Sequence, residues 1–161
     1  MIVADSGPLI AFARIGRLDL LETLFRRVLI PDAVFHEVVV AGRGRPGSQN
    51  VAASSWLERR PLTDRAPLAR LPPNIHAGER EAILLAHTMG LPLLIDERRG
   101  RRFAEGIGVE VFGSLRVLVA AYRRGIIDDA AVVAEEMVAS GYWISPALRS
   151  TLTKESLSAT S

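Results

Sequence analysis

Cysteine is absent from the 161 residues. That excludes disulfides, cysteine-ligated zinc, iron–sulfur clusters and a thiol nucleophile. It also suits a reducing, cytosolic setting. Lysine is nearly absent, with Lys154 the only one. The body of the chain therefore has no P-loop lysine and no Schiff-base lysine. No apolar run approaches the roughly 20 residues of a membrane span. The apolar start, MIVADSGPLIAFARIG, lacks a basic leading segment and is interrupted by Asp5 and Pro8, so it does not read as a signal peptide.

What is present is ordinary globular composition, 48% hydrophobic and 24% charged. The length fits one domain and suffices to bury a core without a metal or disulfide staple. Twenty basic residues against 18 acidic ones give a net charge of +2, which by itself says nothing about nucleic acid. The positive charge is almost all arginine, the better phosphate fork. Genomic base composition accounts for that bias equally well.

The pattern predicts short apolar strands at Met1–Ala4, Val28–Ile30, Pro92–Ile95 and Val109–Phe112. Helices are expected at Leu9–Ile15, Leu18–Phe25, from Pro31 to near Gly42, Val51–Leu57, Ala77–Met89, Arg98–Glu105, Ser114–Arg124, Asp128–Ser140 and Pro146–Leu152. Residues 42–50 read as a basic loop and 61–76 as irregular. The final KESLSATS reads as a frayed end. Strands alternating with helices imply a three-layer α/β/α sandwich around a parallel sheet of four or five strands. In such sheets the functional site lies at the carboxyl ends of the strands.

Asp5 and Asp96 both fall at strand ends. Asp5 follows four apolar residues, where a charge is costly unless compensated. The competing reading is a helix N-cap by Asp5 or Ser6. Glu37 lies at the edge of an apolar helix face. In Gly78-Glu79-Arg80-Glu81, helical spacing puts Glu79 beneath Ala82, Ile83 and Ala86, and Glu81 further out. A preference for acids in the first helical turn explains Glu81 better than Glu79. Together these are up to four inward acids at one sheet edge. Such a cluster repels itself unless a cation sits within it. Hard oxygen ligands suit Mg²⁺ or Mn²⁺, which can activate water and stabilise the leaving oxygen of a phosphodiester.

Other features have plainer readings. His36, His76 and His87 share no ligand spacing and read as structural or solvated. Ser6 has no histidine partner for a triad. Trp56 and Trp143 could stack bases but read more simply as packing or interface residues. Ser114 reads as a helix N-cap. Leu9, Phe12, Leu20, Leu21, Leu24 and Phe25 form a large apolar face, either core or an interface.

The stretches IVADSGPLIAFARIGRLDLL, VLIPDAVFHEVV, GEREAILLA and LPLLIDERRGRRFAEGIGVEVFGSLRVLVAAYRRG cover most of residues 2–125. In combination they resemble PIN-domain proteins, in particular the VapC-like branch that includes the toxin ribonucleases of toxin–antitoxin pairs. The resemblance implies a Rossmann-like fold and a Mg²⁺- or Mn²⁺-dependent endoribonuclease in the cytoplasm. It makes Asp5, Glu37, Glu79 and Asp96 the catalytic metal ligands. Ser6 supports the first acid, and Glu81 and Glu97 compete for the third and fourth positions. RNA would lie against Arg98, Arg99, Arg101, Arg102, Arg43 and Arg45. Attack in line by a metal-activated water would leave a 5′-phosphate and a 3′-hydroxyl. A small cognate antitoxin and a second copy of the chain are the expected partners, with no membrane. Residues 1–145 would be the nuclease domain and 146–161 a C-terminal helix and flexible tail.

Two rivals remain at this point. One is a catalytically degraded module of the same fold that binds RNA or a protein; the Glu at the third acid position and Ile95 before Asp96 depart from the commoner pattern. The other is a phosphotransferase with Asp5 as nucleophile. Gly7 stands where that chemistry wants a second Asp, and Lys154 lies in the tail.

Overall fold

Ile2, Val3 and Ala4 carry no polar side-chain atom, and all are fully buried. A continuous apolar run of this kind marks a strand covered on both faces. The computed structural model describes the backbone of residues 1–158 and the side chains of residues 1–154. Strand β1 (Ile2–Ala4) is the centre of a five-stranded sheet of order β3-β2-β1-β4-β5, with β2 (Val28–Ile30), β3 (Leu57–Arg59), β4 (Leu93–Leu94) and β5 (Val111–Phe112). Every pairing is parallel; Val3 lies between Leu29 and Leu93.

Helices make the crossovers: α1 (Ser6–Arg14), α2 (Asp19–Phe25), α3 (Asp32–Phe35), α4 (Ser48–Ala53), α5 (Ala77–Met89), α6 (Arg98–Gly106), α7 (Ser114–Arg123), α8 (Ala130–Ala139) and α9 (Pro146–Ser158). Helices α3, α5 and α6 pack as one group; α1, α2, α7, α8 and α9 form the other. The expected α/β/α fold class is therefore observed. No described helix is long and apolar enough to cross a membrane.

Leu9, Phe12, Leu20 and Leu21 are fully buried, so that apolar face is core and not an interface. Leu24 and Phe25 pack against it partly exposed.

The structure differs from expectation in three places. The segment read as a helix over Val51–Leu57 is helical earlier, and Leu57–Arg59 is an edge strand. Its Glu58 and Arg59 hide it from any search for apolar runs, because charged residues are how exposed edges are protected from further pairing. The helix after Pro31 leaves α-geometry: α3 runs into a π-turn over His36–Val40, closed by the Ala41 N–H donating to the His36 carbonyl. The frayed end is also revised. Helix α9 continues to Ser158 and buries Leu152 in the core, while residues 159–161 lie outside the described residues.

Burial sets the expected energetics. Leu29→Ala should destabilise the fold by about 2–5 kcal/mol in urea unfolding. Arg60→Ala, on the half-exposed edge, should change it by about 0.5 kcal/mol or less.

Candidate active site

The site grows from the carboxyl end of β1. Asp5 leaves the strand with its N–H donating to the Leu94 carbonyl, and its Oδ2 accepts from the Gly7 N–H at 3.4 Å, capping α1. Only 4% of Asp5 is exposed, and its Oδ1 is buried with no hydrogen-bond partner. A capping carboxylate ordinarily has a lowered pKa, because the amides it accepts from favour its charge. Asp5 goes the other way. Burial pushes its pKa up from 3.8 to about 7, with the nearby Glu79 and Glu37 adding to the rise. Capping therefore does not account for this residue.

Glu37 sits on the π-turn. Its Oε1 accepts from the Gly78 N–H at 3.2 Å. A β-carbon at position 78 would lie 2.6 Å from that oxygen, so any larger residue there would displace the Glu37 carboxylate. Glu79 follows in the first turn of α5 and is 7% exposed. It reaches back to the His76 N–H at the start of its own helix. Burial raises its pKa, with Glu97 and Glu37 adding to the rise and the His76 ring opposing it.

Glu97 caps α6, its Oε2 accepting from the N–H groups of Arg99 at 2.6 Å and Gly100 at 3.1 Å. It therefore stands on the Glu79 side of the site. Asp96 faces the other way. It accepts from the Ser114 N–H at 2.7 Å and the Ser114 hydroxyl at 2.6 Å, and Tyr142 hydrogen-bonds to it. Ser114 is thus the first residue of α7, and Asp96 supplies the cap that the sequence assigned to Ser114. Glu81, expected further out than Glu79, is instead buried on α5, where it accepts from the Ala33 N–H at 2.9 Å and from Arg65, clamping α3 to α5. The structure thus brings Asp5, Glu37 and Glu79 into mutual electrostatic range, with Glu97 in range of Glu79. It ties Asp96 to α7 and Glu81 to α3. Ser6 opens α1 directly beside Asp5.

The arginines ring this edge. Arg45 shares a pocket with Glu37 and Arg14, a basic neighbour that the sequence reading did not single out. Arg43, Arg98, Arg99 and Arg102 are exposed, and Arg101 lines a cleft with Asp96 and Glu97. Among the described residues none of these arginines forms an ion pair, whereas Arg27, Arg59 and Arg65 do. Tyr142 also gave no sequence signal, since only the fold brings it to Asp96.

The donor set fits a divalent cation. An unpartnered buried carboxylate oxygen and mutually repelling acids are what a bound cation would satisfy. Among the described residues no three His, Cys, Asp or Glu side chains close around one point. Mg²⁺ asks for less, since it keeps several waters and takes one or two carboxylates together with phosphate oxygens.

The raised pKa of Asp5 has a measurable sign. Asp5 holds its proton more tightly folded than unfolded, so the folded state is favoured where the group is protonated. In EDTA the unfolding free energy should fall as pH rises from about 4 to about 7 and then level off. Asp5→Asn should flatten that fall and raise the melting temperature above pH 7, at roughly 2–4 °C per kcal/mol. An unchanged pH slope in the variant would contradict the assignment.

A family model described as a PIN domain matches residues 1–157. A PilT N-terminus domain protein from the hyperthermophilic archaeon Sulfolobus solfataricus P2 is similar in structure, with a TM-score of 0.52 at 15% identity, over 90% of this chain and 98% of that one. At that identity the likeness concerns the fold alone. No functionally curated protein matches the sequence. The chain belongs to the PIN-domain family, whose members are generally nucleases.

Proposed function

We propose that this protein is a divalent-metal-dependent endoribonuclease. The observation that carries the reading is the buried, unpartnered Oδ1 of Asp5, held beside Glu37 and Glu79 at the carboxyl edge of the sheet. Asp5, Glu37 and Glu79 would hold Mg²⁺ or Mn²⁺. Glu97 stands at the same edge, and Asp96 would reach the ion only through its free lone pairs. When bound, the ion supplies an activated water and charge stabilisation at the leaving oxygen. The chain's own residues do the rest. The Gly78 N–H orients Glu37, the His76 N–H orients Glu79, and the α1 amides orient Asp5. Unpaired arginines on both sides would hold the phosphate backbone of RNA.

The fourth-acid role is thereby shared between Asp96 and Glu97. Glu81 is read as a positioning residue for the Glu37 helix. A toxin role, with a small antitoxin and a second copy as partners, is part of the same proposal and rests on the VapC-like motifs. Growth arrest on induced expression, relieved by the product of an adjacent open reading frame, would support that role.

Purified protein should cleave single-stranded RNA with Mg²⁺ or Mn²⁺ and not with EDTA. Asp5→Asn should lower the rate by more than the roughly 10–100-fold typical of an outer-shell partner; unchanged cleavage would overturn the site. RNA binding without cleavage, and without any Mg²⁺-linked rise in melting temperature, would mark a binding module instead.

Replacing both Arg43 and Arg45 with Ala should weaken RNA binding regardless of sequence. The slope of log K against log salt should become shallower by about 0.7 for each phosphate that these side chains neutralise.

A further inference from the structure

Trp143 is 79% exposed, the most exposed of the large hydrophobic side chains among the described residues. No ring or hydrogen-bond partner holds it among the described residues. It borders a cleft of about 530 Å³ whose other walls include Leu115, Leu148, Arg101 and Arg116. Asp96 and Glu97 also line it.

The polar groups there are mostly already engaged. The Asp96 carboxylate is taken up by Ser114 and Tyr142, and Glu97 by the α6 amides. Arg101 has no ion pair among the described residues. Arg116 is braced, its guanidinium 3.8 Å from the centroid of the Phe112 ring, donating to the Val111 carbonyl and ion-paired with the exposed Glu110 at 3.3 Å. An exposed indole, apolar walls and the guanidinium of Arg101 in one cleft match the two faces of a nucleotide, a flat base and a phosphate.

We infer that this cleft is a nucleotide subsite, in which Trp143 stacks one unpaired base of a single-stranded RNA whose backbone passes Arg101. The inference rests on the nuclease reading for the identity of the strand, but its readout does not involve cleavage. The subsite explains why an indole stands exposed next to a carboxylate centre, and it selects single strands, because a paired base is not free to stack.

The test uses Trp56→Phe protein, so that Trp143 is the only indole, in EDTA to prevent turnover. A short uridine oligonucleotide should quench Trp143 fluorescence saturably. An abasic sugar–phosphate oligomer of equal length should bind more weakly and not quench. Trp143→Ala should weaken oligonucleotide binding by about tenfold, within the usual range for one stacked base, and Trp143→Phe should recover most of it. Equal binding by the abasic oligomer, or wild-type affinity in Trp143→Ala, would overturn the subsite. So would loss of self-association in Trp143→Ala with RNA affinity intact, which would assign the indole to a protein interface. Quenching without any Mg²⁺-dependent cleavage would leave the subsite standing and remove the nuclease.

Discussion

A carboxylate at the end of the central strand, walled off from water and with one oxygen given no hydrogen bond, is the constraint around which this molecule is arranged. Asp5 cannot lie there cheaply in its charged form. Its neighbours aggravate the problem, because Glu37 and Glu79 are acids as well. A fold selected for stability alone would place an asparagine or serine at this cap. Retaining a carboxylate whose burial opposes its charge points to a requirement for negative charge at that point, which a cation satisfies and a cap does not.

The acids share an architectural pattern. Asp5 caps α1, Glu79 occupies the first turn of α5, Glu97 caps α6 and Asp96 binds the first amide of α7. Parallel strands deliver helix N-termini to one edge, and helix N-termini favour negative charge. The topology that makes the sheet thus also gathers carboxylates, each engaged by amides that fix its direction. What separates Asp5 and Glu79 from mere caps is the direction of their pKa shift, since both rise where an exposed cap would fall. Glu81 shows the contrast: equally buried, it is satisfied by Ala33 and Arg65 and serves to hold α3 in place.

Much of this was legible in the residues. The apolar runs at 2–4 and 28–30 announced a buried parallel sheet, whereas helical spacing did not separate Glu79 from Glu81, because Glu81, expected further out, is buried too, beneath α3 and Arg65. The edge strand at 57–59 escaped because protection of an exposed edge demands the charges that disguise it. The orientation of Asp96 escaped because it depends on Ser114 and Tyr142, 18 and 46 positions away, and no local rule pairs residues across a sheet. Trp143 had no distinguishing pattern at all; its exposure is a property of the α8–α9 connection. The arginines at the site form no ion pair among the described residues, while Arg27, Arg59 and Arg65 are committed to them.

The π-turn at His36–Val40 has a consequence best put in terms of insertions and deletions. A π-turn is an α-helix carrying one surplus residue, and each residue turns the helix by about 100°. Upstream of it, α3 is fixed by the bond from Ala33 to Glu81; within it, Glu37 is fixed by Gly78. Both anchors belong to the same helix, α5, and they flank Glu79 on its two sides. The surplus residue is what lets one short helix meet both anchors. Loss of a single residue here would yield a more regular helix and a misdirected acid, so at this point in the chain regularity and function are opposed.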